Sequence, residues 1–151
     1  MSENNNNQIE LTFAIIKPDA VHARHTGEII KQTEANGFEI LALQKGILTK
    51  EQAEVFYEVH KDRPFYGELV NFMTSGPIIV MVLARPNAVA AWRELMGATN
   101  PAEAAKHTLR AQFGKNVGEN ALHGSDSLQN SLREISLFFP DMLQQTEKKA
   151  K

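Results

Sequence analysis

The stretch Asn120-Ala121-Leu122-His123-Gly124-Ser125-Asp126-Ser127 gathers the residue types best suited to chemistry. His123 falls in a short run of strand type, and Gly124 carries no side chain to block a ligand's approach. Ser125-Asp126-Ser127 opens a helix, capped by Ser125 or Asp126, whose N-terminal amides favour anions. From His123 to the helix start is roughly 10 to 13 Å of extended chain, and the helix climbs back about 12 Å over about eight residues. If it packs antiparallel to the strand, Glu134 arrives beside His123. A carboxylate holding one imidazole nitrogen leaves the other as acceptor, as a histidine nucleophile requires. The same pair equally suits a core histidine satisfied by a nearby carboxylate, and these residues alone do not separate the two readings.

Phosphate binding would have to come from side chains, because the chain has neither Gly-x-x-x-x-Gly-Lys-Ser/Thr nor Gly-x-Gly-x-x-Gly. In Ile16-Lys17-Pro18-Asp19 a lysine stands where a buried strand ends and Pro18 fixes the exit, which can aim an ammonium into a cleft; lysines at strand ends are more often solvated. Arg93, Thr99 and Arg110 flank or lie in a long loop from Gly97 to Glu119, where guanidinium groups can grip phosphate oxygens. Phe65, after Asp62-Arg63-Pro64, is either helix core or a ring that stacks on a base. His22, His25, His60 and His107 have no metal-ligand spacing and read as surface or packing residues. With no protein metal cage, Mg²⁺ delivered on a nucleotide's phosphates remains compatible with the sequence.

The elements that must position these groups follow from periodicity. Ile9 to Ile16 is an apolar strand stopped by Pro18, and Ile29, Ile30 and Thr33 have helical spacing before Gly37 and a second strand, Phe38 to Leu43. Thr49 with Gln52 predicts a capping box that starts a helix with Ala53, Phe56 and Val59 on one face; a shorter helix follows around Tyr66 to Met73. After Ser75-Gly76-Pro77 come a strand from Ile78 to Leu83, a helix with Val89, Trp92 and Met96 inward, and a short helix within Ala102 to Leu109. The last helix turns Leu128, Leu132, Ile135 and Phe139 inward. The order predicts an α+β, ferredoxin-like βαββαβ fold, an antiparallel sheet with helices on one face and a long functional loop.

With 151 residues and 42% hydrophobic content, the chain is the size of one domain, expected over residues 9–139 between a disordered polar N-terminus (1–8) and a polar tail (140–151). A net charge of −2 gives no broad positive field for nucleic acid or an anionic membrane, so any phosphate site is local. Without cysteine there is no disulfide, thiolate metal site or thiol nucleophile. The start has no signal stretch and no apolar run spans a bilayer, so a cytoplasmic protein is expected, with no nucleic acid or membrane required.

Together, Ile16-Lys17-Pro18-Asp19, Lys61-Asp62-Arg63-Pro64-Phe65, Phe72-Met73-Thr74-Ser75-Gly76-Pro77, Gly97-Ala98-Thr99-Asn100-Pro101 and Asn120-x-x-His123-Gly124-Ser125-Asp126-Ser127 strongly resemble nucleoside diphosphate kinase. The resemblance implies that the γ-phosphoryl of a nucleoside triphosphate, typically ATP, moves to an enzyme histidine and then to a nucleoside diphosphate of any base, which maintains the NTP and dNTP pools. It implies His123 as the phosphorylated residue and Glu134 as the carboxylate that orients it. Lys17, Tyr57, Arg93, Thr99, Arg110 and Asn120 match residues that contact phosphates, sugar hydroxyls or the histidine, and Phe65 and Val117 match the pair that sandwiches the base. It further implies substrate-borne Mg²⁺ and a homo-oligomer built from dimers, a tetramer or a hexamer. Two places depart from the family's commoner residues: Lys106-His107 stands where many members have Pro-Gly, and Ala111-Gln112-Phe113 where Gly-Asp-Phe is commoner. The tail also lacks the aromatic extension of many hexameric members.

Overall fold

The structure is a computed structural model and describes residues 8–142. The expectations for residues 1–7 and 143–151 lie outside the described residues. Four strands form one sheet in the order β2-β3-β1-β4: β1 (Ile9–Ile16), β2 (Glu39–Gly46), β3 (Ile78–Pro86) and β4 (Leu122–Gly124). Every neighbouring pair is antiparallel. The α+β, ferredoxin-like class therefore holds.

Seven α-helices are described: α1 (Pro18–His22), α2 (Thr26–Ala35), α3 (Lys50–Phe56), α4 (Tyr66–Met73), α5 (Ala88–Met96), α6 (Leu109–Phe113) and α7 (Leu128–Phe138). The sequence led to the expectation of helices on one face, but they cover both. Ala14, Ile16, Met81 and Leu83 pack with Ile29 of α2 and Trp92 of α5. Their neighbours Phe13, Ile15, Val80 and Val82 pack on the opposite face with Phe56 of α3, Met73 of α4 and Ile135 of α7. The unbroken apolar runs from Phe13 to Ile16 in β1 and from Ile78 to Ala84 in β3 are the physical reason: alternate residues point to opposite faces, so a run without polar alternation needs cover on both.

Several local signals materialise. Thr49 and Gln52 close the capping box at the start of α3. Pro18, which ends β1, also begins α1, a helix the apolar spacing did not reveal; proline suits a first helical turn because its missing N–H would have no partner there. Other expectations shift. Val59 is 71% exposed in a 3₁₀ turn (Glu58–His60) and not on the inner face of α3. In α5, Leu95 is buried and Val89 only partly so. The short helix expected within 102–109 splits into a 3₁₀ turn at Pro101–Glu103 and α6. Met142, beyond the expected boundary at Phe139, packs against the second cluster.

The largest difference is in α7. Leu128 and Leu132 are 47% and 40% exposed, while Ser131, Glu134 and Ile135 are buried. Leaving two leucines partly in water forgoes on the order of 1 kcal/mol each. That rotation carries Glu134 to the sheet, where it finds the partners described below.

Candidate active site

His123 sits in β4 opposite Ile15, and Gly124 opposite Ala14. Because strand side chains alternate, the imidazole points to the face covered by α3 and α7. Its ring makes edge contacts with Phe56 (5.1 Å between centroids) and Phe13 (6.4 Å). Position 124 points to the other face, and a Cβ there would lie 2.5 Å from Trp92 Cδ1 and 2.6 Å from Met96 Cε. Gly124 is thus needed for close packing of α5 on β4, and it also lines the cleft described below, where the sequence put a ligand's approach. Trp92 Nε1 also donates to the His123 carbonyl (3.3 Å).

Glu134 meets His123 as the strand-to-helix geometry anticipated, with Nε2 and Oε1 3.1 Å apart. Ser125 does not cap α7; that role belongs to Ser127, whose side chain accepts from the Asn130 N–H (3.1 Å). The buried Ser125 hydroxyl instead donates to Glu134 Oε1 at 2.6 Å. One carboxylate oxygen therefore meets both Ser125 and His123, and with Nε2–H donated to it the Nδ1 lone pair of His123 is left available. Tyr57 lies close by. Burial, and then the Glu134 charge, push its hydroxyl far above the ordinary tyrosine range, and that hydroxyl has no hydrogen-bond partner among the described residues.

A second polar cluster adjoins this one. Lys17, 8% exposed, donates from Nζ to Asn120 Oδ1 (2.9 Å), and Asn120 Nδ2 donates to the Thr99 carbonyl (3.1 Å). Burial lowers the Lys17 ammonium to about 8; the Arg110 charge acts in the same direction and Asp19 opposes both. Arg110 donates through its two terminal nitrogens to the carbonyls of Gly97 (3.1 Å) and Leu122 (2.9 Å), while its buried Nε has no partner among the described residues. Burial, then the neighbouring Arg93, bring it down to about 10, so it stays charged at neutral pH. Cations held this close with no carboxylate in ion-pair contact among the described residues suit a polyanion. Asp19, to which sequence reasoning gave no role, supports the segment that leads into β4: its Oδ2 accepts from the Ala121 N–H (3.0 Å), and Ala121 takes a left-handed φ of 76°. The Lys-Pro-Asp order was the available signal, since it puts a carboxylate in the first turn of α1.

One cleft of about 490 Å³ is lined by His123, Glu134, Lys17, Tyr57, Asn120, Arg93, Thr99 and Arg110 together with Phe56, His60, Asp126 and Arg133. Eight residues predicted from sequence thus share one wall. Phe65 and Val117 do not line it. They are 47% and 55% exposed, and the Phe65 ring lies 5.5 Å from that of His60, which does. No cluster of three or more His, Cys, Asp or Glu suited to caging a metal occurs among the described residues.

Comparison with known proteins gives the chain a family. A family model described as nucleoside diphosphate kinase matches residues 10–143. Nucleoside diphosphate kinase of Wolbachia pipientis is 55% identical over 133 residues, 88% of this chain and 96% of the relative. That of Methylorubrum extorquens is 57% identical over 132 residues, 87% of this chain and 94% of the relative. Among solved structures, the Aquifex aeolicus nucleoside diphosphate kinase superposes with a TM-score of 0.86 at 42% identity, covering 87% of this chain and 96% of its own.

Proposed function

The chain belongs to the nucleoside diphosphate kinase family, and on that premise we propose that the γ-phosphoryl of a nucleoside triphosphate reaches a nucleoside diphosphate by way of His123. The observation that carries this reading is the Ser125–Glu134–His123 chain of contacts, which ties down Nε2 and leaves Nδ1 available beside a cationic cleft. Nδ1 attacks the γ-phosphorus as the bond to the β,γ-bridging oxygen breaks, and the diphosphate leaves with that oxygen. In the second half, the terminal oxygen of a new diphosphate attacks the phosphorus and the P–N bond breaks, which regenerates His123. Donor and acceptor use one site in turn.

Phosphoryl transfer depends on positioning and charge neutralisation. Lys17, Arg93 and Arg110 balance the polyphosphate, Asn120 and Thr99 hold Lys17 in place, Glu134 fixes the ring, and the Tyr57 hydroxyl, unpartnered among the described residues, is left free for the substrate. The wall suits a Mg²⁺ carried on the substrate's own phosphate oxygens, since it offers many cations and few carboxylates. When bound, that ion supplies further neutralisation of the phosphates. The exposed Phe65 and Val117 clasp the base by its faces, which tolerates every base.

Residues 9–139 act as the catalytic domain. The edge strand β2, with Leu41 and Leu43 42% and 45% exposed, supports a dimer as the building block of a tetramer or hexamer. Light scattering at micromolar concentration should return at least four chains. Among the described residues no helix is long and apolar enough to cross a membrane; the reading sets the enzyme in the cytoplasm with nucleoside tri- and diphosphates as its partners. Incubation with γ-labelled ATP and no acceptor should leave an acid-labile, base-stable label on the protein that GDP removes; a protein that stays unlabelled while exchange proceeds would overturn the shuttle.

A further inference from the structure

The departure at Ala111-Gln112-Phe113 has no part in the reaction above, yet it follows directly on Arg110. α6 is five residues long, too short to keep its shape unaided, and it carries Arg110. Two of its side chains reach across to α2. Gln32 Nε2 donates to Gln112 Oε1 at 2.8 Å, and Gln112 Nε2 donates back to Gln32 Oε1 at 2.9 Å, closing an amide pair. The remaining hydrogen of each amide is also engaged: Gln112 donates to the His107 carbonyl (3.0 Å) and Gln32 to Glu28 Oε1 (3.2 Å). One residue further, the Phe113 ring lies 4.7 Å from His25, the N-cap of α2. Since α2 is itself anchored in the core by Ile29, the turn that bears Arg110 is tied to a fixed support.

We propose that Gln32 and Gln112 are positioning residues whose amide pair holds α6 against α2 and so aims Arg110 at the polyphosphate. This rests on the reading of Arg110 as a phosphate ligand. Close approaches of Thr108 to Gly97 and of Pro101 to Gly114 hold the same turn, so loss of the pair loosens Arg110 without freeing it.

Gln32→Ala and Gln112→Ala should each lower kcat/KM about 3- to 10-fold, the range for one net hydrogen bond, with most of the change in KM. The double variant should be no worse than either single one, because both remove one shared interaction. Gln112→Glu combined with Gln32→Lys should restore KM: an ion pair replaces the amide pair, and Glu28 supports the lysine from four residues before it. Arg110→Ala is measured alongside. If it raises KM while the glutamine variants change only the melting temperature, the positioning role is wrong and the phosphate reading stands. If Arg110→Ala leaves KM and kcat unchanged, the phosphate reading fails and takes this inference with it.

Discussion

Around His123, polar groups are buried and tied to one another: Ser125 to Glu134, Glu134 to His123, Lys17 to Asn120, Asn120 to the backbone at Thr99. At Phe65 and Val117 the opposite holds, since both are about half exposed and neither enters the cleft wall. The contrast is physical. Reacting atoms must be held to within a fraction of an ångström, which only packed and hydrogen-bonded groups achieve, whereas a base gripped by its faces needs no such precision. The inner end should therefore govern turnover and the rim should govern affinity, weakly and for every base.

The sharpest test of that division is Glu134. Glu134→Ala should still accept the phosphoryl group but lose about 10- to 1,000-fold in kcat, because the ring is no longer oriented. A variant in which KM rises and kcat holds would place Glu134 with the rim. Gly124→Ala should be felt by the whole inner end, since its Cβ overlaps Trp92 and Met96. Thermal unfolding should report a destabilisation of about 1–3 kcal/mol, and an unchanged melting temperature would show that β4 and α5 have slack.

A pH profile probes the same region. Lys17 carries its charge below its pKa and loses it above, and burial has lowered that pKa to about 8. kcat/KM, which reports the free enzyme, should fall above about pH 8, and the limb at this pH should vanish in Lys17→Ala. In kcat the limb should move to higher pH, because a bound polyphosphate favours the charged ammonium. The smallest effect is expected at the rim. Phe65→Ala should raise KM about 5- to 10-fold, at the low end of base stacking, with kcat nearly constant. ATP, GTP, CTP and UTP and their deoxy forms should serve within about 100-fold of one another, or ~2.7 kcal/mol. Strict purine dependence would mean that the base is read by its edges.

What the sequence revealed divides along the same line. The inner end was legible because its groups hang on regular elements: strand and helix rises bring Glu134 to His123, and Pro18 marks where β1 releases Lys17. The inward face of α7 was misread because apolar spacing counts Leu128 and Leu132 but cannot register that Ser131 and Glu134 have polar partners waiting in the sheet. The second role of Gly124, close packing under α5, was hidden because nothing in the residues around it discloses Trp92, 32 positions earlier in the chain, pressing on β4. Phe65 and Val117 lie on irregular chain, so periodicity places neither; residue type alone left Phe65 open between helix core and base stacking, and only family resemblance pointed to Val117.

The central claim is that His123 itself carries the phosphoryl group. The direct measurement is phosphate exchange between γ-labelled ATP and GDP by His123→Ala, with nucleotide binding checked by calorimetry. The variant should bind nucleotide, form no acid-labile phosphoenzyme and show essentially no exchange. Exchange near the wild-type rate would contradict the shuttle and require direct transfer between two nucleotides bound at once.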